Sequence, residues 1–231
     1  MSAIDQMCFT GETDCKFSPN MIKPNMCRNC MKNISKHRKE NVTHEDILKA
    51  LEYSQKGEKT PSRILEATDA RGALFLGGFK AVVNVEFVSK ENLRGVVNTA
   101  GISLFQLFGK KFENSYKDTL AAHSVECHYV SWVDQTSFDI PDEELAGVLR
   151  FVHARLCGGG AVLVHCAQGK SRSSTAVVAY LMVVMDVGVA EALAFVKERR
   201  KMAEPNVRFM AKLKEFEGSE LRRTLHKEFS S

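Results

Sequence analysis

The stretch "AVLVHCAQGKSRSSTAVVAYLMVVM", residues 161–185, decides the fold. A short apolar run ends at His165 and Cys166, and a second run, apolar on all sides, begins after Arg172. The first run predicts a buried strand and the second a buried helix. In open α/β sheets, ligands bind where the carboxyl end of a strand meets the amino end of a helix. The segment between the two runs is therefore the first candidate for a functional site.

Short apolar runs alternate with helical patterns from Arg63 onward. Strands are predicted at 73–78, 95–100, 125–134 and 161–166, and helices at 79–92, 112–124, 141–157, 171–185, 189–200 and 207–223. This alternation is typical of an α/β domain, and it predicts a central, mostly parallel, twisted sheet flanked by helices.

The chain is predicted to divide into a module at 1–45, a short helix and linker at 46–62, and the α/β domain at 63–231. Thr43 and Asp46 have the spacing of a capping box at the start of the short helix. The apolar face of that helix would comprise Ile47, Leu48 and Leu51.

The composition is that of a soluble globular protein, with 44% hydrophobic and 26% charged residues. A net charge of +4 gives no support for nucleic-acid binding, although it is compatible with an anionic substrate. The first residues lack the apolar region of a secretory signal, and the longest apolar run, 176–185, is about half of a membrane span. We therefore expect a cytoplasmic protein, with the nucleus and the cytoskeleton as further locations. Because thiols stay reduced in that compartment, the seven cysteines of the chain indicate metal binding or catalysis rather than disulfides.

The junction loop, residues 166–172, has the features of an anion-binding cradle. Its small residues let successive backbone N–H groups point inward, and the following helix adds its positive amino-terminal end. The guanidinium of Arg172 can bind two phosphate oxygens at once. The predicted phosphate-binding residues are Ala167, Gln168, Gly169, Lys170, Ser171 and Arg172.

The same positive field acts on Cys166. A thiol that faces a helix amino terminus and a guanidinium has a lowered pKa and becomes a nucleophilic thiolate. The "GKS" at 169–171 also matches the end of a nucleotide-binding Walker loop, but that motif requires glycine where this chain has Val164. The sequence therefore excludes the Walker motif.

His165-Cys166-x5-Arg172-Ser173 resembles the signature of the cysteine-dependent phosphatases, and the surrounding residues are similar to the dual-specificity branch. The resemblance covers about residues 63–225 and includes "LFLGG", "VVNTA", "SRSSTAVVAYLM" and "EPNVRF". It implies a signalling phosphatase that hydrolyses phosphotyrosine, phosphoserine and phosphothreonine in phosphoprotein substrates. The reaction would pass through a phosphocysteine on Cys166 and need no catalytic cofactor.

The resemblance also implies roles for further residues. Asp134, 32 positions before Cys166, would be the general acid, with Asp139 and Asp142 as rivals in the same segment. Ser173 would donate a hydroxyl to the thiolate, and a buried His165 would orient the loop.

Two residues near the predicted site have alternative interpretations. Asn206 would either brace the site or begin a helix, and Trp132 would either line the pocket rim or pack in the core.

Two alternative functions remain at this point. A lysine in the position of Lys170 occurs in phosphoinositide phosphatases and also in ordinary protein phosphatases, so a lipid substrate is an alternative to a phosphoprotein. The neutral Ala167 and Gln168 do not favour the lipid, because those lipid enzymes often carry a second basic residue in the loop. A phospho-binding scaffold without catalysis is the second alternative. The chain carries no long tyrosine-recognition insertion before the α/β domain, which favours a shallow pocket.

The amino-terminal segment contains four soft ligands with zinc-like spacing: Cys15, Cys27, Cys30 and His37. Cys8 is a spare ligand that could replace Cys15 or His37. The segment resembles small zinc modules of cytoskeletal and signalling proteins, which implies a closed structural zinc site and a protein partner. The alternative is a disordered tail that happens to contain cysteines.

Overall fold

The computed structural model of the chain describes residues 10–19, 26–32, 34–43, 45–46 and 60–230. The chain forms two compact units, 1–58 and 59–231. The finer boundaries at residues 45 and 62 stay predictions, and Cys8, Ile47, Leu48 and Leu51 lie outside the described residues. No helix in the described ranges is long and apolar enough to cross a membrane.

The predicted capping box is present in the first unit. The Asp46 N–H donates to Thr43 Oγ1 at 3.1 Å, and the Thr43 N–H donates to Asp46 Oδ2 at 3.1 Å. These reciprocal bonds satisfy backbone donors that have no intrahelical acceptor at the start of a helix.

The second unit is built on a five-stranded sheet with strand order β1-β2-β5-β3-β4. The strands are β1 (Ser62–Leu65), β2 (Leu74–Gly78), β3 (Leu93–Asn98), β4 (Glu126–Tyr129) and β5 (Ala161–Cys166). β1 is antiparallel to β2, and the other pairings are parallel. The expected mostly parallel sheet is thus confirmed. All six residues of β5 are buried, as expected for a central strand with both faces covered.

Eight α-helices are described in this unit. They are α1 (Val85–Lys90), α2 (Ser103–Phe108), α3 (Lys110–Ala122), α4 (Asp142–Cys157), α5 (Arg172–Val184), α6 (Val189–Arg199), α7 (Val207–Glu217) and α8 (Glu220–Ser230). α5 lies in the centre of the larger hydrophobic core and is buried on all sides, as its sequence predicts. Its position fixes the junction loop between two buried elements.

Several predicted boundaries were wrong. The segment predicted as one helix over 79–92 forms a 3-10 turn followed by α1. The Asn84 side chain caps the amino terminus of α1, which therefore begins at Val85. The helix predicted over 207–223 is divided at Gly218, where α7 ends. The strand predicted over 125–134 is regular only as far as Tyr129; residues 130–132 keep isolated backbone hydrogen bonds to 98–100 beside the junction loop. β1 and α2 were not predicted.

We expect Leu181→Ala in α5 to destabilise the second unit by about 2–5 kcal/mol, because Leu181 is completely buried and its truncation leaves a cavity. The free energy of unfolding can be measured in urea by the fluorescence of Trp132, the single tryptophan of the chain. Val85→Ala is the matched control, since Val85 is 53% exposed. Equal stability of the two variants would contradict the central position of α5.

Candidate active site

The junction loop is held from outside through its backbone carbonyl groups. Arg200 Nη2 donates to the carbonyl of Gln168 and Arg200 Nε to that of Gly169, both at 2.7 Å. The Glu204 N–H donates to the Lys170 carbonyl at 2.7 Å. The Ser171 carbonyl accepts from the backbone N–H of Thr175 and from its hydroxyl, both at 2.9 Å. Four consecutive carbonyls are therefore turned away from the centre of the loop.

The N–H groups of the loop consequently point inward. In a planar trans peptide the C=O and N–H bonds point in opposite directions, so each outward carbonyl directs the next N–H towards the centre. The N–H of Gly169 illustrates this, since it donates to Cys166 Sγ at 3.2 Å. Converging N–H groups of this kind form an anion-binding cradle.

Gly169 is required by the backbone of this loop. Its φ is +71°, in the left-handed region, and a Cβ atom there would lie 2.4 Å from the carbonyl oxygen of Gly77. The loop therefore approaches β2 more closely than any side chain permits.

Cys166 lies at the centre of the cradle and is 2% exposed. Burial acts to raise the pKa of its thiol, but the charge of Arg172, the Ser173 hydroxyl and the backbone N–H groups of Ser173 and Gln168 bring it below its ordinary value. The Ser173 hydroxyl donates to Cys166 Sγ at 3.3 Å. This environment stabilises a thiolate in the middle of an anion-binding loop.

The guanidinium of Arg172 is mostly buried at the start of α5. Its Nη1 donates to the Trp132 carbonyl at 3.4 Å, and its Nε lies 3.7 Å from Asp134 Oδ2. Among the described residues this buried Nε has no hydrogen-bond acceptor. A buried donor without an acceptor is costly, and an oxyanion in the cradle would supply one.

His165 is completely buried and fixes the start of the loop. Its Nδ1 lies 3.1 Å from the Cys166 carbonyl and its Nε2 lies 2.7 Å from the Tyr116 hydroxyl. Because a carbonyl only accepts, Nδ1 carries the proton in the neutral ring and Nε2 accepts from Tyr116. Burial and the charge of Arg172 lower the pKa of His165 to about 4, so the ring is neutral at pH 7.

Asp134 lies beside the loop in the segment after β4. Its Oδ1 accepts from the Ser171 hydroxyl at 2.8 Å and from Asn206 Nδ2 at 2.9 Å. Asn206 also caps α7, because its Oδ1 accepts from the Phe209 N–H at 2.9 Å. Both interpretations of Asn206, as a brace and as a helix start, therefore describe real contacts.

The two rival carboxylates are engaged elsewhere. Asp139 forms an ion pair with Arg208 at 2.6 Å, and Asp142 begins α4 and pairs with Lys212 at 2.7 Å. Trp132 is 1% exposed and its indole N–H donates to Glu144 at 2.9 Å. Trp132 is therefore a core residue and does not line the pocket rim.

Lys170 points away from the cradle. Its Nζ lies 2.7 Å from Glu204 Oε2, and the Glu204 N–H donates to the Lys170 carbonyl. Its neighbours Ala167 and Gln168 carry no charge. Of the loop residues, Arg172 alone directs a cation towards Asp134.

The sequence did not predict that Arg200 and Tyr116 contribute to the site. Arg200 belongs to a run of charged residues that is typical of a solvated helix end, yet it is only 4% exposed. Its carbonyl acceptors lie more than thirty residues away, and no local pattern indicates such a pairing. Tyr116 could have been placed inward, because Phe112, Tyr116 and Leu120 lie on one face of α3.

In the first unit the structure brings together Cys15, Cys27, Cys30 and His37, whose ligand atoms all lie within 4.8 Å of one another. Cys15 Sγ and Cys27 Sγ are 3.9 Å apart, and Cys30 Sγ and His37 Nε2 are 3.4 Å apart. Tetrahedral zinc requires about 3.8 Å between two sulfur ligands and about 3.6 Å between sulfur and nitrogen. The cluster therefore fits a zinc ion.

A small apolar core surrounds this cluster. Phe17, Ile34 and Val42 are buried, and the ring of Phe17 packs edge-on against His37 with 5.0 Å between centroids. This core is too small to stabilise a fold alone, as is usual for metal-dependent modules.

Comparison with known proteins agrees with the geometry of the second unit. Residues 74–219 match the model of the dual specificity phosphatase catalytic domain. Dual specificity protein phosphatase 1B of Arabidopsis thaliana is 31% identical over 170 residues, which cover 71% of this chain and 91% of that protein. Human dual specificity protein phosphatase 22 is also 31% identical, over 64% of this chain and 72% of its own.

Among solved structures, that of human DUSP28 has a TM-score of 0.54 and 27% identity, and the match covers 68% of this chain and 92% of the DUSP28 chain. The matched family model spans strands β2 to β5, the junction loop and most of the helices around them. The chain belongs to the dual specificity phosphatase family.

Proposed function

We propose that this dual specificity protein phosphatase uses Cys166 as the nucleophile for phosphate monoesters of phosphoprotein substrates. The single observation that carries the proposal is the buried Cys166 sulfur, which accepts hydrogen bonds from the Gly169 N–H and the Ser173 hydroxyl inside a ring of inward N–H groups. The phosphoryl oxygens would bind to the N–H groups of 167–172 and to the guanidinium of Arg172, whose Nε has no hydrogen-bond acceptor among the described residues.

In the first step, the Cys166 thiolate attacks phosphorus and the bond to the substrate oxygen breaks. Asp134, protonated at the start, gives its proton to that departing oxygen, so that a neutral alcohol or phenol leaves. Asp134 is supported in this role by its place beside Arg172 and by the bonds from Ser171 and Asn206, which orient its carboxyl group.

In the second step, water attacks the phosphocysteine. The Asp134 carboxylate takes a proton from the water, inorganic phosphate forms, and the thiolate of Cys166 is released. The Ser173 hydroxyl, 3.3 Å from Cys166 Sγ, stabilises the departing thiolate. His165 is a positioning residue, because its neutral ring holds the Cys166 carbonyl and is not available for proton transfer at neutral pH.

The two alternative functions are less well supported. Phosphoinositide hydrolysis would use Lys170, whose ammonium is paired with Glu204. A scaffold without catalysis has no need for an activated thiol, an arginine and a carboxylate at one site. We therefore infer that the substrates are phosphorylated side chains of proteins in the cytoplasm, the nucleus or the cytoskeleton.

We infer further that Cys15, Cys27, Cys30 and His37 hold one structural zinc ion. Four protein ligands leave no open coordination position, so the ion would stabilise the module and take no part in hydrolysis. The module at 1–45 would bind a protein partner.

The first test concerns the thiol. Because thiolate is the reactive form, the rate of alkylation of Cys166 by iodoacetamide rises with pH through its folded-state pKa. We expect the midpoint to lie below the ordinary thiol value, and to move upward in Ser173→Ala, which loses one hydrogen bond to sulfur. Mass spectrometry of the labelled peptide measures Cys166 alone, and the exposed Cys157 serves as internal control.

Cys166→Ser is expected to abolish hydrolysis of an aryl phosphate. Persisting turnover in this variant, or an ordinary titration midpoint at Cys166, would contradict its assignment as nucleophile.

The second test concerns the general acid. Asp134→Ala is expected to lower kcat for phenyl phosphate about 10²- to 10⁴-fold, since the phenol then leaves without a proton. The loss should be smaller for p-nitrophenyl phosphate, whose leaving group is more acidic and depends less on protonation. Asp139→Ala is the control and should retain activity. An equal decrease in kcat for both esters would show that a residue other than Asp134 is the general acid.

The third test concerns zinc. The purified full-length chain is expected to contain one zinc ion, measured by native mass spectrometry, and Cys27→Ser is expected to lose it. Cys157→Ser, which changes a thiol outside the cluster, should retain the metal. Zinc-free native protein, or full zinc content in Cys27→Ser, would exclude the site.

A further inference from the structure

The ion pair between Lys170 and Glu204 is fixed at two points. The side chains meet at 2.7 Å between Nζ and Oε2, and the backbone N–H of Glu204 donates to the Lys170 carbonyl at 2.7 Å. The backbone bond ties the segment before α7 to the junction loop, so the carboxylate stays within reach of the ammonium. The pair lies on the surface, with the Lys170 side chain 33% exposed and that of Glu204 64% exposed.

The position of this pair matters because of the other charges around it. Residues 166–172 contain two cationic side chains, Lys170 and Arg172. Arg172 is turned inward, towards the Trp132 carbonyl and Asp134. Lys170, whose side chain is 33% exposed, is therefore the loop cation within reach of a second phosphate on the same substrate.

Glu204 cancels the charge of that cation. Its hydrogen bond and attraction to Lys170 lower the pKa of its carboxyl group, with a weaker attraction from Lys197, so it is ionised at neutral pH. A second phosphate near Lys170 would approach the Glu204 carboxylate, which is already paired with the ammonium. Because the phosphate and the carboxylate are both negative, they repel each other.

We propose that Glu204 is a specificity-determining residue that withholds Lys170 from substrates and so favours isolated phosphorylated side chains over closely spaced pairs. The inference rests on the proposed function of the junction loop and adds a substrate class to it. The specificity would arise from repulsion, because the charge of Glu204 disfavours a substrate with a second phosphate and adds no attraction for the singly phosphorylated one.

The test compares two matched peptides, one with a single phosphotyrosine and one with an additional phosphothreonine beside it. The quantity measured is kcat/KM for phosphotyrosine hydrolysis in each peptide, and the ratio of doubly to singly phosphorylated peptide is compared between variants. Glu204→Gln keeps the size of the side chain and the backbone N–H but removes the charge. We expect the ratio to rise several-fold in this variant, and the rise to diminish as salt is added, because the attraction is exposed to solvent.

Two further variants separate a local effect from a general one. Glu198→Gln removes a negative charge that pairs with Arg199, and it should leave the ratio unchanged. The double variant Lys170→Gln with Glu204→Gln should lose the gain, because the freed ammonium is then absent. An unchanged ratio in Glu204→Gln, an equal rise in Glu198→Gln, or a gain that persists without Lys170 would each overturn the proposal.

Hydrolysis of p-nitrophenyl phosphate by the same preparations keeps this test distinct from that of the proposed chemistry. Hydrolysis of p-nitrophenyl phosphate that persists after Cys166→Ser would count against Cys166 as the nucleophile. Retained dependence with an unchanged peptide ratio would count against Glu204 alone.

Discussion

The active site depends on hydrogen bonds to the outer side of the junction loop. Arg200, the N–H of Glu204 and Thr175 bind four consecutive carbonyls, and planar peptide geometry then turns the following N–H groups inward. The inward groups supply partial positive charge around Cys166 without any mobile side chain. A cradle that is already oriented needs no reorganisation when negative charge develops, which is the main source of electrostatic catalysis in enzymes.

Charge is distributed around this cradle in a consistent way. A buried thiolate is tolerated because Arg172 and several donors surround it, whereas His165, equally buried, remains neutral because burial disfavours its charged form and the charge of Arg172 adds to that effect. The carboxylate of Asp134 lies at the edge, where Ser171 and Asn206 donate to it. The charge of the thiolate is thus balanced by Arg172 and the surrounding donors, and the neutral His165 fixes the orientation of the backbone.

The sequence was sufficient where the determinants are local. The apolar runs that flank Cys166 predicted β5 and α5, and the spacing of Cys15, Cys27, Cys30 and His37 predicted their cluster, because both depend on side chains close together in the chain. Arg200 could not be predicted, since its acceptors lie in a distant segment and its neighbours are charged. The end of β4 was misplaced because apolar residues such as Trp132 continue into the core beyond the last strand pairing.

The first strand adds a consequence for the extent of the independently folding enzyme. The family match begins at residue 74, yet β1 precedes it and pairs with β2. Arg200, which holds two carbonyls of the junction loop, also bonds Ser62 in β1 through its third nitrogen. A fragment trimmed to the matched region would expose the edge of β2, which invites aggregation, and deprive Arg200 of one anchor. The minimal active fragment therefore has to start upstream of Ser62.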